Sequence, residues 1–237
     1  MVHSLSWLTE LPIAHRGLHD GNRECWENSL AAFRAAIANN YAIECDVRLS
    51  ADKVPVVFHD SDLKRLTGAS GKLSSLAAKE VKELTLGETD EKVPGVRELL
   101  DLVCGRVPLI IELKGERGSD NGLVEAMVEL LSDYDGPAAL MSFDHWLIRD
   151  MQRYCGDIPF GLTAEGTSEE AFAAHRQMLE TGISFVSYNV NHLPNEFVQD
   201  IRDRLGLPVI TWTVRDKDAA DLTYAHADQI TFEGFRP

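Results

Sequence analysis

The chain has 237 residues, with 23 Lys and Arg against 38 Asp and Glu, so its formal net charge is −15 at neutral pH. Hydrophobic residues make up 44% of the chain and charged residues 26%, a composition typical of a folded globular protein that excludes a disordered chain. The acidic balance excludes a nucleic-acid-binding protein, which needs a basic face against the phosphate backbone, and it disfavours docking on an anionic membrane surface.

The sequence predicts a cytoplasmic protein without stable membrane insertion. No apolar run reaches the roughly 20 residues that a spanning helix needs. The first 12 residues contain no Lys or Arg and no continuous apolar stretch, so we do not expect a secretory signal there. The four cysteines, which have no CxxC spacing and are expected to be reduced, are Cys25, Cys45, Cys104 and Cys155. A secreted form with its signal removed stays an alternative, and the oligomeric state is open.

Strand-like and helix-like runs alternate along the chain. The strand-like runs are 11–15, 42–47, 108–113, 138–143, 159–163, 184–188, 207–213 and 228–232. The helix-like runs are 29–39, 96–103, 123–131, 147–154, 169–181, 195–205 and 217–225. This alternation predicts an α/β protein, a (β/α)8 TIM barrel forming a single domain over residues 1–237. A doubly wound open sheet is the alternative, although His15-Arg16-Gly17 stands where such a sheet carries its glycine-rich phosphate turn.

An additional apolar run, residues 54–58, follows the second strand after the polar turn 50–53. A parallel neighbour needs a crossover of about a dozen residues, so the two runs are predicted to form an antiparallel hairpin at the top of the barrel. The expected pairs are Leu49 with Val54, Asp46 with Val57, and Glu44 with His59. The hairpin opens a small, turn-rich excursion that covers about residues 48–95.

Charged residues lie near the ends of two predicted strands. Glu44 and Asp46 are two apart and share one face of their strand, as do Glu112 and Lys114 on the next barrel strand. Buried carboxylates are costly unless they are paired or bind a metal, and the C-terminal ends of barrel strands carry the active sites of such enzymes. Three carboxylates there predict one hard divalent cation, Mg²⁺, Ca²⁺ or Mn²⁺. Salt bridges to Arg16, Arg48 and Lys114 are the alternative.

Two histidines converge on the same place. His15 ends the first strand, and His59 ends the hairpin arm that faces Glu44. Together they can supply an acid and a base. His19 is close in sequence, but its spacing from His15 is not the His-x-His pair of metal-dependent barrels, so it is expected not to bind metal.

Further residues suggest an anionic substrate. The planar guanidinium of Arg16 suits phosphate oxygens, and Glu27 is expected to orient it. Asn28 or Ser29 is expected to cap the first helix. Two aromatic residues at strand ends, either core residues or an apolar wall for the substrate, are Phe143 and Trp212. A cation, Arg16, Lys114 and two histidines together predict phosphoester cleavage at a single metal.

Several short motifs occur in a specific order from about residue 13 to the C-terminus. They are His15-Arg16-Gly17, Glu27-Asn28-Ser29 with Leu30-Ala31-Ala32-Phe33, Ile43-Glu44-Cys45-Asp46-Val47, Pro55-Val56-Val57-Phe58-His59-Asp60, Leu66-Thr67-Gly68, Pro94-Gly95-Val96-Arg97-Glu98-Leu99, Ile111-Glu112-Leu113-Lys114 and Trp212-Thr213-Val214. In these motifs the chain resembles the glycerophosphodiester phosphodiesterase family, in its short bacterial type with a phospholipase C-like TIM barrel.

The resemblance implies a TIM barrel with a small excursion after the second strand. It also implies hydrolysis of a glycerophosphodiester to sn-glycerol 3-phosphate and an alcohol. The residues that it implies are the metal ligands Glu44, Asp46 and Glu112, the catalytic His15 and His59, and the phosphate-binding Arg16 and Lys114. The expected partner is therefore a small-molecule substrate.

The chain departs from the family pattern at three places. Trp26 replaces a common proline, the turn at Asp52-Lys53 lacks the usual glycine, and Phe232-Glu233-Gly234 stands where members often have Thr-Asp. We expect none of these departures to touch a proposed ligand or histidine. The last one leaves the alcohol preference open.

Several alternatives stay open at this point. The nucleophile is either the 2-hydroxyl of the substrate, giving a cyclic phosphate, or water, and either histidine can be the base. A lysophospholipase D that cleaves lipids with one acyl chain would use the same site, but the acidic composition disfavours it. A non-catalytic barrel that binds a phosphate metabolite is a third hypothesis, which turnover would exclude.

Overall fold

The computed structural model describes residues 5–237, and residues 1–4, part of the segment expected not to be a secretory signal, lie outside the described residues. Eight parallel strands close into a barrel, because β1 (Ile13–Ala14) pairs with both β2 (Ala42–Leu49) and β9 (Gln229–Phe232). The strands between them are β4 (Leu109–Leu113), β5 (Ala138–Ser142), β6 (Phe160–Ala164), β7 (Phe185–Asn189) and β8 (Val209–Val214). The predicted TIM barrel is confirmed, and this closure contradicts the open-sheet alternative.

Helices connect the barrel strands and cover them from outside. They are α2 (Leu30–Ala38), α5 (Val96–Val103), α6 (Leu123–Leu131), α7 (His145–Tyr154), α8 (Glu169–Leu179), α9 (Glu196–Asp203) and α10 (Lys217–His226). A short helix, α1 (Trp7–Glu10), precedes the barrel and was not predicted. Within residues 5–237, no helix has both the length and the apolar character that crossing a membrane requires.

Every strand and helix of the predicted alternation is present, and most ends agree within one or two residues. The first strand is shorter than predicted because Arg16 (φ 55°) and Gly17 (φ 79°) adopt left-handed conformations and turn the chain out of the sheet. A side chain at Gly17 would also approach the backbone of Ala32 to 2.9 Å, so the third residue of His15-Arg16-Gly17 must be glycine.

The excursion contains a third strand, β3 (Pro55–Val57), two short helices, α3 (Lys64–Thr67) and α4 (Ala78–Val81), and a 3-10 turn at Leu73–Ser75. It has its own apolar cluster, which is formed by Val56, Phe58, Leu63, Leu66, Leu73, Ala78, Val81, Leu86 and Val93. Leu66 of α3 belongs to this cluster, which packs the short helix against the rest of the excursion.

The hairpin forms as predicted, but its expected register is wrong by one residue. Val47 pairs with Val57, and Leu49 pairs with Pro55. The turn has three residues rather than four, because the Ser50 amide donates to the Val54 carbonyl at 3.1 Å and closes the loop there. Lys53 takes a left-handed conformation (φ 62°), which completes this tighter turn. Asp46 consequently lies opposite Phe58, whose amide donates to the Asp46 carbonyl at 2.9 Å.

The inward faces of the barrel strands change character along their length. Near their N-terminal ends, a buried apolar layer includes Ile13, Ala42, Ile110, Phe185 and Ile210. Two residues further along the same strands, and therefore on the same face, the side chains are His15, Glu44, Glu112, Ser187 and Trp212. The apolar layer fills the bottom of the barrel, so the polar residues line a pocket at its C-terminal mouth.

Candidate active site

The pocket at the mouth of the barrel has a volume of about 430 Å³. The sequence-predicted residues that line it are His15, Arg16, Glu27, Glu44, His59, Glu112, Lys114, Phe143 and Trp212. Asp46 lies directly beneath, within 3.1 Å of both Arg16 Nε and Lys114 Nζ. The structure therefore brings all ten predicted site residues into one region.

Three carboxylates form the floor of the pocket. Glu44 and Asp46 are each 1% exposed and Glu112 is 6% exposed, and one oxygen from each lies within 4.8 Å of the others. Burial raises the pKa of Glu44 well above its ordinary value, and the nearby charges of Asp46 and Glu112 raise it further. Burial also raises the pKa of Glu112, with Lys114 offsetting part of the effect. This cluster is electrostatically unfavourable without additional positive charge.

Lys114 and Arg16 supply part of that charge. Burial alone would raise the pKa of Asp46, but Lys114 and Arg16 more than offset it, so this carboxyl is ionised. Lys114 also donates a hydrogen bond to Glu112. Glu44 Oε1, in contrast, is buried and has no hydrogen-bond partner among the described residues.

The three carboxylates fit a hard divalent cation. Their oxygens converge from two neighbouring strands, and oxygen-only donors are what Mg²⁺, Ca²⁺ and Mn²⁺ prefer. The buried, unpaired oxygen of Glu44 is the strongest local sign of a missing positive partner, because an unsatisfied buried carboxylate oxygen is costly. Glu44, Asp46 and Glu112 are therefore the residues that would hold such an ion.

Asn28 is a site residue that the sequence analysis missed. The cap of α2 is Ser29, whose side chain accepts a hydrogen bond from the Ala32 amide. Asn28 instead adopts a left-handed conformation (φ 57°) and donates from its side-chain amide to Asp46 Oδ2 at 2.9 Å. Its side-chain oxygen accepts from the Asp46 amide at 3.2 Å. Asn28 therefore orients this carboxylate, and its tolerance of left-handed backbone was the available sequence signal.

Arg16 is held in place from both ends. Its backbone amide donates to Glu44 Oε2 at 2.9 Å, and its guanidinium donates to Glu27 at 2.7 Å. The guanidinium Nε lies 3.1 Å from Asp46 Oδ2. The predicted contact between Glu27 and Arg16 is therefore present, and Arg16 stays fixed at the pocket wall.

His15 contacts Glu233, contrary to the expectation that the C-terminal departure from the family pattern touches no proposed histidine. His15 Nδ1 lies 2.6 Å from Glu233 Oε2. Burial would raise the pKa of Glu233, but the hydrogen bond with His15 and the proximity of His19 hold it well below its ordinary value. An ionised Glu233 accepts the Nδ1 proton of His15, so the Nε2 atom of His15, 3.9 Å from Glu44, carries the free lone pair. No sequence pattern indicated this contact, because His15 and Glu233 are 218 positions apart.

His19 supports this arrangement. Its Nδ1 accepts a hydrogen bond from the Gly21 amide at 3.1 Å, so its Nε2 carries the proton. That Nε2 lies 3.6 Å from Glu233 Oε2. His15, His19 and Glu233 are close enough to bind an ion together, but a protonated Nε2 cannot be a metal ligand.

His59 has a similar partner on the opposite side of the pocket. Its Nδ1 lies 2.7 Å from Asp60 Oδ1, and its carbonyl accepts a hydrogen bond from Arg48 at 2.7 Å. Burial lowers the pKa of His59 below its ordinary value, as it does for His15. Both rings thus have their Nδ1 atoms engaged by a carboxylate.

Phe143 and Trp212 form one wall of the pocket. Their rings meet edge to face with centroids 5.1 Å apart, and Lys114 Nζ lies 5.7 Å from the centre of the Phe143 ring. The indole of Trp212 donates to the Ser187 carbonyl at 3.2 Å. Of the two interpretations left open by the sequence, the structure favours an apolar wall, because both rings line the pocket.

Known proteins are similar to this chain in sequence, and a solved structure is similar to it in architecture. YhdW of Bacillus subtilis is 30% identical over 92% of this chain and 92% of its own. A glycerophosphodiester phosphodiesterase of Caldanaerobacter subterraneus is 27% identical over 93% of this chain and 92% of its own. The solved structure of an Oleispira antarctica phosphodiesterase in complex with the product sn-glycerol-3-phosphate has a TM-score of 0.82 and 25% identity, covering 94% of this chain and 93% of that one.

The family assignment rests on the length of chain that matches as well as on the sequence similarity. The sequence profile of the Glycerophosphoryl diester phosphodiesterase family matches residues 15–231. That range begins at His15 and includes every barrel strand from β2 to β8. The chain belongs to the glycerophosphoryl diester phosphodiesterase family, and it is an enzyme of the phosphoric diester hydrolase class.

Proposed function

We propose that the protein hydrolyses glycerophosphodiesters to sn-glycerol 3-phosphate and an alcohol, with one divalent cation and two histidines. The observation that carries this proposal is the convergence of Glu44, Glu112, His15 and His59 on one pocket. The related Oleispira antarctica enzyme is in complex with the product sn-glycerol-3-phosphate, which supports a small phosphate substrate.

The pocket separates binding groups from proton-transfer groups. A bound divalent cation would neutralise charge on the phosphate and lower the pKa of an attached hydroxyl. Arg16 lines the pocket with a planar guanidinium, and Lys114 lines it with a compact ammonium group. We therefore assign both side chains to binding the phosphate oxygens. Phe143 and Trp212 offer an apolar surface for the carbon skeleton of the substrate.

The two histidines are assigned to proton transfer. Glu233 and Asp60 each engage an Nδ1 atom, which leaves the Nε2 atoms of His15 and His59 for the reaction. One ring, neutral with its proton on Nδ1, accepts at Nε2 the proton of the attacking hydroxyl as the new P–O bond forms. The other ring enters the reaction doubly protonated, stabilised by its carboxylate partner, and its Nε2 gives a proton to the leaving alkoxide as the old P–O bond breaks. The attacking hydroxyl is that of the substrate, followed by opening of the cyclic phosphate by water, or that of water directly.

We further propose that barrel and excursion act as one cytoplasmic domain. The excursion supplies His59 and Asp60, while the barrel supplies the carboxylates and His15. Neither part holds the complete set of residues.

The experiment that tests the function is a turnover assay. Activity on glycerophosphocholine is expected to disappear with chelator and to return with Mg²⁺, Ca²⁺ or Mn²⁺, because Glu44, Asp46 and Glu112 form the proposed ion site. Glu44→Gln, Asp46→Asn and Glu112→Gln should each weaken metal affinity and lower turnover. Full activity in chelator would contradict the metal assignment, and no turnover with any cation would favour the non-catalytic binding hypothesis.

Comparison of substrates separates the proposed function from a lysophospholipase D. We expect kcat/KM for glycerophosphocholine and glycerophosphoethanolamine to exceed that for lysophosphatidylcholine. The acidic surface gains nothing from an anionic membrane, and the aromatic wall is limited to Phe143 and Trp212. A preference for the lysolipid would refute this substrate class but not the assigned residues.

A further inference from the structure

We propose that Arg65, on helix α3 of the excursion, is a positioning residue for the hydrolysis: it holds the two carboxylates that orient His59 and Arg16. The proposal rests on the proposed function of those two residues. It also gives the excursion a defined part in the reaction, because α3 brings this guanidinium to the edge of the pocket.

One guanidinium contacts two carboxylates with four hydrogen bonds. Arg65 Nε and Nη2 donate to the two oxygens of Asp60 at 2.7 and 2.8 Å. Nη2 and Nη1 donate to the two oxygens of Glu27 at 2.8 and 3.0 Å. Both pairs are bidentate, which only the planar fork of arginine permits.

Each of these two carboxylates also contacts a residue that lines the pocket. Asp60 Oδ1 lies 2.7 Å from His59 Nδ1, and Glu27 Oε1 accepts from Arg16 at 2.7 Å. The hydrogen bonds from Arg65 hold the pKa of Asp60 at about 2, so this carboxylate is ionised and accepts the Nδ1 proton of His59. Arg65 thus acts on the reacting groups only through Asp60 and Glu27.

The two carboxylates bound by Arg65 differ in how many other hydrogen-bond partners they have. Glu27 also accepts from the Asn22 side chain at 2.7 Å, and its own amide donates to Asn22 at 2.7 Å. Among residues 5–237, Asp60 has side-chain hydrogen bonds only with His59 and Arg65. Loss of Arg65 should therefore disturb His59 more than Arg16, and proton transfer more than phosphate binding.

The position of Arg65 is fixed by its neighbours rather than by its own burial. The next residue, Leu66, is fully buried in the apolar cluster of the excursion. The Arg65 side chain is 46% exposed, and the buried Glu27 keeps Arg16 and Asn22 as partners, so the loss of Arg65 leaves no buried carboxylate without a partner. A change at Arg65 can therefore alter activity while leaving the fold intact.

The test compares Arg65→Lys and Arg65→Gln in the full chain with the cation present. Both should lower kcat by about 10-fold or more with a smaller change in KM, because lysine keeps the charge but cannot form two bidentate pairs. The double variant of Arg65→Gln and Asp60→Asn should lose no more kcat than Asp60→Asn alone. The matched control is Arg204→Lys, which breaks a bidentate pair with Asp200 on the exposed surface and should leave kcat unchanged.

A second measurement does not depend on turnover. Imidazole ¹⁵N spectra of the full chain should show His59 with its proton on Nδ1, and Arg65→Gln should reduce the population of that tautomer. Wild-type kcat in Arg65→Lys, additive losses in the double variant, or an unchanged His59 tautomer would overturn the proposal. A wild-type protein with no turnover would refute the proposed function instead, and the tautomer would still decide the role of Arg65.

Discussion

At the scale of single residues, a carboxylate contacts the Nδ1 atom of each of the two histidines in the site. Glu233 binds His15 and Asp60 binds His59, each through Nδ1. The two partners come from different parts of the chain, the last barrel strand end and the excursion. The same arrangement therefore occurs twice, and in the proposed mechanism it leaves both Nε2 atoms for proton transfer.

The histidines themselves give the first residue-scale prediction. His15→Ala and His59→Ala should each lower kcat by on the order of 10²–10⁴, the usual contribution of a positioned acid or base. His19→Ala should be much milder, because His19 only supports Glu233 at 3.6 Å. Steady-state kinetics of the three variants decide this, and a loss for His19→Ala equal to the other two would show that its assigned role is wrong.

Glu233 gives the second residue-scale prediction. Glu233→Gln keeps an oxygen near His15 Nδ1 but removes the charge that favours the protonated ring, so kcat should fall by about 10-fold or more with little change in KM. The matched control is Asp221→Asn, which removes an exposed acid paired with Lys217 and should not affect kcat. Unchanged kcat in Glu233→Gln would mean that His15 does not need this partner.

At the scale of elements, periodicity was sufficient for the strands and helices but not for the hairpin register. The apolar faces of α5 repeat at Val96, Leu99, Leu100 and Val103, which is the helical spacing, and all four are buried. The turn after β2 lacked such a signal, because Lys53 is an unusual residue for a left-handed conformation. The register therefore depended on one backbone torsion that its residue type does not favour.

The left-handed backbone conformation of Lys53 leads to a prediction about stability. Lys53→Gly should stabilise the fold by about 0.5–1 kcal/mol, because glycine adopts positive φ without strain, partly offset by its greater freedom in the unfolded chain. Urea unfolding measures the change, and kcat should stay the same. Asn40→Gly, at φ 56°, is the control and should gain less, since asparagine already tolerates this conformation. A destabilised Lys53→Gly variant would indicate that the Lys53 contact with the Ser119 carbonyl matters more.

At the scale of the whole molecule, the carboxylate cluster proposed to bind the cation lowers the stability of the fold. The pKa of Glu44 is raised by burial, and then by Asp46 and Glu112. A raised pKa in the folded state means that this group weakens the fold as pH rises above its ordinary value of 4.5. A divalent cation would offset that cost at neutral pH.

Glu44→Gln should therefore raise the Tm in chelator by a few degrees, while turnover is lost. Added Mg²⁺, Ca²⁺ or Mn²⁺ should raise the Tm of the wild type more than that of the variant. Thermal unfolding with and without cation is the measurement, and the exposed Glu88→Gln is the control. A lower Tm for Glu44→Gln in chelator would contradict the electrostatic cost assigned to the cluster.

The sequence by itself determined the barrel and the floor of its pocket. Strand and helix periodicities are local, and parallel barrel strands bring their C-terminal ends together, so Glu44, Asp46, Glu112 and His15 had to meet. Only the tertiary structure decided which side chains contact and orient the residues of the pocket. Glu233 reaches His15 because barrel closure pairs the first strand with the last, and Arg65 reaches Glu27 and Asp60 because the excursion folds over the mouth. Such contacts join elements that are distant in sequence, and no local pattern of residues encodes their geometry.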